Sequence, residues 1–157
     1  MELILWRHAE AEDRAKDSDL DAARELTKRG RRQAERVADW LAPRLDKSWR
    51  ILVSPAIRTL QTVAPLAREF DTSEGVGLDA TARTLLEAAH WPDGDRNVLV
   101  VGHQPTLGHV AARLLDGEEG DVSIRKGAVW WFVTRRRDDQ LETVLRTVVD
   151  AEMLDGG

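Results

Sequence analysis

Cysteine does not occur in these 157 residues, and its absence removes disulfides, thiolate metal sites and every cysteine-nucleophile mechanism at once. A chain of this kind fits a cytosolic address best. Positive charge is in short supply as well: 23 Lys and Arg against 28 Asp and Glu give a net charge of −5, with an isoelectric point near 5.4. No global basic field exists to hold nucleic acid or an anionic membrane, so any basic site must be local. Long apolar runs are missing too. "MELILW" stops at Arg7, too short for the core of a signal peptide and far too short to cross a bilayer. No repeat, low-complexity tract or linker divides the chain. With 42% hydrophobic and 32% charged residues, residues 1–157 read as a single domain with one core and one site.

What is present is an alternation of short apolar runs with longer amphipathic stretches. Leu3 to Trp6, Ile51 to Val53 and Val98 to Val101 are apolar at consecutive positions, as in strands covered on both faces. Thr27 to Leu45 places Ala34, Val37, Ala38, Leu41 and Leu45 on one helical stripe, with Thr27 as N-cap. A second helix is expected from Pro55 to Phe70, capped by Ser54, a third around Asp79 to His90, and a fourth from "QPTLGHVAARLL" to near Gly117. "GAVWWFV" and "LETVLRTVV" read as closing strands, joined as a hairpin across "TRRRDDQ". Alternation along the first of these sends Trp130 and Trp131 to opposite faces, so at least one is expected to be exposed. The pattern predicts an α/β fold: a three-layer αβα sandwich, with helices on both faces of a mainly parallel central sheet and an antiparallel edge.

In such sheets ligands gather at the carboxyl ends of the strands. "LILW" runs into Arg7 and His8, "ILV" into Ser54-Pro55-Ala56-Ile57-Arg58, and "VLVVG" into His103-Gln104-Pro105. Parallel strands bring two histidines and two arginines to one rim. Two guanidiniums can fork around a tetrahedral oxyanion, and a helix opening at Ser54-Pro55 would add its free N–H groups. Ser54, Arg7, Arg58 and His103 are therefore candidates for binding a phosphate. A neutral imidazole in that pocket can attack phosphorus and carry the phosphoryl group until water takes it. A second histidine, protonated, would stabilise the transferring oxygens. This chemistry needs no metal and no cofactor.

These residues resemble the histidine phosphatase superfamily, the phosphoglycerate-mutase-like proteins. "LILWRHAEAE" is similar to its strand followed by Arg-His-Gly, with Ala9 in place of the commoner glycine. "LTKRGRRQA" resembles its Leu-Thr-x-x-Gly-x-x-Gln-Ala segment, and "SPAIRTLQT" and "GHQP" its later motifs. The motifs run in order from residue 3 to at least 110, and the chain is most similar to the small bacterial SixA-type phosphohistidine phosphatases. The resemblance implies a phosphoglycerate-mutase-like fold, His8 as nucleophile, and Arg7, Arg58 and His103 as phosphate ligands. Many relatives acting on phosphate esters draw a proton donor from the stretch between the second and third motifs, which here offers Asp79 and Glu87.

The acids of "AEAED" read first as a polar rim. Glu12 is a further candidate proton donor, and one of Glu10, Glu12 and Asp13 could anchor the arginines. A metal-dependent hydrolase built on His8, Glu10, His103 and an acid is an alternative. So is a non-catalytic module that recognises phosphorylated partners. "DSDLD" fails as an aspartyl-phosphatase motif, because that nucleophile should directly follow an apolar strand. His90 and His109 read as structural or solvated.

Relatives that handle sugar phosphates carry extra segments that wall in a small molecule, whereas here residues 63–97 alone separate the second motif from the third strand. An open pocket suits a phosphate presented on a protein. An imidazole leaves once protonated, whereas an alkoxide needs more help from an acid. The sequence thus points to metal-independent hydrolysis of phosphohistidine on a phosphotransfer domain or phosphocarrier, with no role for nucleic acid or membrane. A small-molecule phosphomonoesterase of the same superfamily is the alternative.

Overall fold

The structure, a computed structural model, describes residues 1–13 and 18–154. Its centre is a six-stranded sheet in the order β3-β2-β4-β1-β5-β6. The strands are β1 (Glu2–Arg7), β2 (Arg50–Val53), β3 (Asp71–Thr72), β4 (Val98–Gly102), β5 (Val129–Arg137) and β6 (Gln140–Val149). β1, β2, β3 and β4 pair in parallel, while β5 and β6 complete one edge antiparallel. The helices are α1 (Ser18–Ala22), α2 (Lys28–Leu41), α3 (Ile57–Val63), α4 (Ala82–Ala88) and α5 (Thr106–Asp116).

The apolar runs are strands because both their faces are covered. Leu3, Leu5, Val98, Val100 and Phe132 pack with Leu85 of α4 and Leu107, Val110 and Ala111 of α5. On the other face Ile4, Trp6, Leu99, Val101 and Trp131 pack with Val37, Ala38 and Leu41 of α2 and Val63 of α3. This is the expected three-layer arrangement, with its antiparallel edge. It also corrects the expectation for the adjacent tryptophans. Trp131 is buried and Trp130 half-buried, because each side of the sheet has its own core to receive one of them. The hairpin tip falls at Asp138 and Asp139, both with positive φ (51° and 64°), as a tight two-residue hairpin demands.

α2 follows the sequence reading closely. Thr27 caps it by accepting the Gly30 N–H at 3.0 Å, and Gly30, Ala34, Val37, Ala38 and Leu41 form its buried stripe. α3 is much shorter than the expected Pro55–Phe70 helix. It begins at Ile57 without a side-chain cap, and a 3₁₀ turn over Ala64–Leu66 follows it. Pro65 supplies no N–H to continue the α-helical ladder, and Ala67 then turns left-handed (φ 55°). α1, the two-residue β3 and the 3₁₀ segments have no periodic signature in the sequence.

The "LTKRGRRQA" segment acts as a clamp. Besides the Thr27 cap, Gln33 Oε1 accepts the Glu10 N–H at 3.0 Å, and Ala34 packs on Ala9 and Leu26. Gly30 lies so close to the strand exit that an added Cβ would sit 1.9 Å from the Glu10 carbonyl oxygen. Because that neighbour is backbone, relief requires α2 to move away from residues 8–12. Gly30→Ala should therefore cost at least about 1–3 kcal/mol, read as a fall in the urea midpoint at unchanged slope. A stability within about 0.5 kcal/mol of wild type would show that the approach is not tight.

Candidate active site

The register of β1 against β4 builds the site. Arg7 pairs with Gly102, and the His8 N–H donates to the Gly102 carbonyl at 3.1 Å, so His8 and His103 leave adjacent strands side by side. Their ring centroids are 5.4 Å apart. Ser54, at the end of β2, donates its N–H to Val101 O at 3.1 Å, which brings the third strand end to the same level. An open pocket of about 780 Å³ lies here, lined by Arg7, His8, Arg58 and His103 with Asp21, Arg24, Asp79 and Lys126 among others.

His8 is 6% exposed. Its Nδ1 bonds the Ala9 carbonyl at 2.8 Å. A carbonyl only accepts, so Nδ1 carries the hydrogen and Nε2 keeps its lone pair. Burial pushes His8 down to about 3, and the charges around it, His103, Arg58 and Arg7, act in the same direction against the Ala9 bond. The ring is therefore neutral at physiological pH, and its available nitrogen is unprotonated. Thr62 of α3 holds the next residue by accepting the Ala9 N–H at 3.0 Å.

Arg7 is oriented by the Ile124 carbonyl, which accepts from Nη1 at 2.8 Å, and no carboxylate pairs with it among the described residues. Arg58 is 4% exposed and is tied to α1, where the Asp21 carbonyl accepts from Nη1 at 2.8 Å and the Asp21 carboxylate lies 3.5 Å from Nη2. Asp21 also receives Arg24 Nε at 2.8 Å, so one carboxylate joins two guanidiniums. Asp21 is the last residue of "DSDLD", which fails as an aspartyl-phosphatase motif, and it sits in a helix too short to show a period. Asp17 of that motif lies outside the described residues.

His103 Nε2 and Ser54 Oγ are hydrogen-bonded at 2.7 Å. Ser54 is fully buried and does not line the pocket, so it positions His103 instead of capping α3 or meeting a ligand. Burial, then Arg58, pushes His103 down to about 4, while Asp21 opposes this. The protein's own groups thus hold His103 neutral, and the expected imidazolium would need a bound dianion to raise it. Arg7 Nε and His103 Nδ1 are buried without a hydrogen-bond partner from the protein. Two unsatisfied buried polar atoms in one positively charged pocket are what an oxyanion would satisfy.

Of the candidate acids, Asp79 lines the pocket. Glu87 does not; it is exposed on α4 and paired with Arg83 at 2.9 Å. Glu12 and Asp13 are exposed and Glu12 lies outside the lining. The Glu10 carboxylate turns to α2, accepting Thr27 Oγ1 at 2.9 Å and lying 3.5 Å from Arg29. The His8, Glu10 and His103 set required by a metal-dependent hydrolase is therefore not assembled. No group of three or more metal-ligating side chains gathers anywhere among the described residues. His109 pairs with Asp121 at 2.7 Å, away from the pocket. No helix of the described residues is long and apolar enough to cross a membrane.

A fold with three parallel strand ends and an arginine-histidine pocket at their rim defines a class, and the sequence comparison supplies its name. Residues 3–81 match the model of the histidine phosphatase superfamily, branch 1, and the chain belongs to that family. Within it the chain is similar to phosphohistidine phosphatase SixA of Escherichia coli K12, 29% identical over 132 residues that cover 75% of this chain and 76% of that protein. It is 31% identical to a SixA homolog of Haemophilus influenzae, covering 78% and 82%. Among solved structures, that of the protein histidine phosphatase SixA complexed with tungstate superposes with a TM-score of 0.77 over 99% of this chain and 100% of that one, at 22% identity.

The neutral histidines give stability a pH dependence of definite sign. Below pH 6.5 the unfolded histidines take up protons that the folded ones, titrating near 3 and 4, refuse. Their contribution is therefore complete above 6.5 and is lost as the pH falls. Between pH 6.5 and 4.5, wild type should lose up to about 1.4 kcal/mol per pH unit more than His103→Gln, measured by urea unfolding. Parallel curves would show that His103 is protonated in the folded protein.

Proposed function

We propose that the protein hydrolyses phosphohistidine on a partner protein, without a metal, through a phosphohistidine intermediate on His8. The observation that carries this reading is the fixed tautomer of His8: Nδ1 is committed to the Ala9 carbonyl, which leaves a neutral Nε2 in a pocket walled by Arg7, Arg58 and His103. The SixA proteins to which the chain is similar are named for the same activity.

In the proposed reaction Arg7 and Arg58 bind the phosphoryl oxygens, and His103, held by Ser54, completes the cradle. The His8 Nε2 lone pair attacks phosphorus opposite the substrate nitrogen. The new P–N bond forms as the old one breaks, and the departing imidazole takes a proton. Water then attacks phospho-His8 in line, releasing inorganic phosphate and returning the lone pair to Nε2. Positioning and electrostatics carry the acceleration, because both groups are fixed before the reaction. The imidazole, unlike an alkoxide, leaves readily once protonated. Asp79 is the proposed proton donor among the sequence candidates. A phosphotransfer domain or phosphocarrier is the proposed partner, met in the cytoplasm.

One observation favours a second reading. Asp79 on the pocket wall, in a space of about 780 Å³, is where a general acid for a small phosphate ester would stand. A panel of sugar phosphates, nucleotides and terpenoid phosphates set against a phosphohistidine protein separates the two, with Asp79→Asn as the second axis. The ester reading requires Asp79→Asn to suppress ester turnover strongly.

The main reading is tested by incubating the protein with a phosphohistidine protein in EDTA. Phosphohistidine should disappear at an undiminished rate, and persistence of the label beside folded protein overturns the proposal. His8→Ala should lower turnover by at least about a thousandfold and abolish the acid-labile phosphoenzyme. Arg58→Ala should weaken phosphate binding and rate by roughly tenfold to a hundredfold.

A further inference from the structure

We infer that Lys126 is a specificity-determining residue at the pocket mouth, which reads an acidic side chain flanking the phosphohistidine of the partner protein. This rests on the phosphohistidine reading above and adds to it the local chemistry of the partner.

The inference begins with how the residue is held. Ala128 donates to the Arg125 carbonyl at 3.0 Å, closing a turn with Lys126 and Gly127 at its centre. Gly127 takes the positive φ (78°) that this turn position favours. Its N–H donates to the carbonyls of Arg7 (3.1 Å) and His8 (2.9 Å), and the Ala128 carbonyl accepts the Arg7 N–H at 3.1 Å. The Gly127 carbonyl accepts Trp6 Nε1 at 3.2 Å. The turn that carries Lys126 is thus stitched, through Gly127 and Ala128, to the backbone of the proposed nucleophile and its neighbouring arginine.

The two adjacent cations of this turn differ in their commitments. Arg125 is drawn outward by Asp150 (3.3 Å) and Glu152 (3.5 Å). Lys126 lines the pocket, is exposed, and forms no ion pair among the described residues. Of the four cations lining the pocket, Arg24 and Arg58 share Asp21. With Asp21 offsetting one of the three arginines, the two positive charges that remain match those of a phosphoryl group on nitrogen. Lys126 stands outside that balance, at the mouth, on a flexible stem suited to a point charge and not to bidentate phosphate binding. A carboxylate beside the phosphohistidine satisfies it.

The test uses the full-length protein and two phosphohistidine peptides, identical except that the residues flanking the phosphohistidine are glutamate in one and glutamine in the other. The readout is the ratio of their kcat/KM values. Wild type should favour the glutamate peptide by about three- to tenfold at low salt, the range of an exposed but oriented pair, with the preference shrinking as salt rises. Lys126→Ala should bring the ratio to about one and Lys126→Glu should invert it, both mainly through KM. A ratio unchanged in both variants overturns the inference, including the case in which both substrates slow together because Lys126 serves the phosphoryl group. If wild type turns over both peptides with a ratio of one, this inference fails and the phosphohistidine reading stands. If it turns over neither, both fall.

Discussion

The parallel pairing of β1 with β4 is the constraint on which the site depends. Side chains alternate along a strand, so a slip of one residue would turn His8 or His103 to the opposite face. The hydrogen bond from His8 N–H to the Gly102 carbonyl fixes both exits at once. Everything beyond is anchored to that pair: β2 joins through Val101 and Ser54, α3 through Thr62 and Ala9, and the turn at Gly127 through the carbonyls of Arg7 and His8. The apolar strands and the charged rim are two parts of one arrangement. The core fixes the register, and the register gathers the polar groups.

Burial sets the electrostatics. Two histidines, each nearly buried and set beside Arg7 and Arg58, cannot hold further positive charge, so both imidazoles are driven toward neutrality. The same low-dielectric wall that suppresses the imidazolium strengthens attraction for an oxyanion. The orphaned Arg7 Nε and His103 Nδ1 express this in structure: with Ser54 donating to His103 Nε2, both are N–H donors that a ligand's oxygens would accept from. Asp21 moderates the excess by joining Arg24 and Arg58.

Much of this was legible in the sequence because it is written locally. A strand ending on Arg-His is a contrast between neighbouring residues, and the Thr27 cap with its apolar stripe spans one helix. The "LTKRG" glycine was recognisable as part of a motif, although its reason, contact with the Glu10 backbone, required the fold. Other features depend on what comes together from afar. Ser54 reads as a cap until His103 is placed against it. Glu87 and Asp79 look equivalent until α4 turns one outward and the loop before it holds the other on the wall. Asp21 and Lys126 carry no local signature, since a five-residue helix has no period and a Lys beside an Arg reads as a solvated pair.

The position of β1 also sets when the site can exist. Leu3 pairs with Val98 on one side and Phe132 on the other, so the strand bearing the proposed nucleophile finds both neighbours only after most of the chain has been made. Contacts so distant in sequence form slowly. During synthesis the first motif to emerge must wait for nearly the last strand, and the nascent chain carries Arg7 and His8 without a pocket around them. Activity is in this sense a report on completed folding: the same pairing that closes the sheet assembles the site.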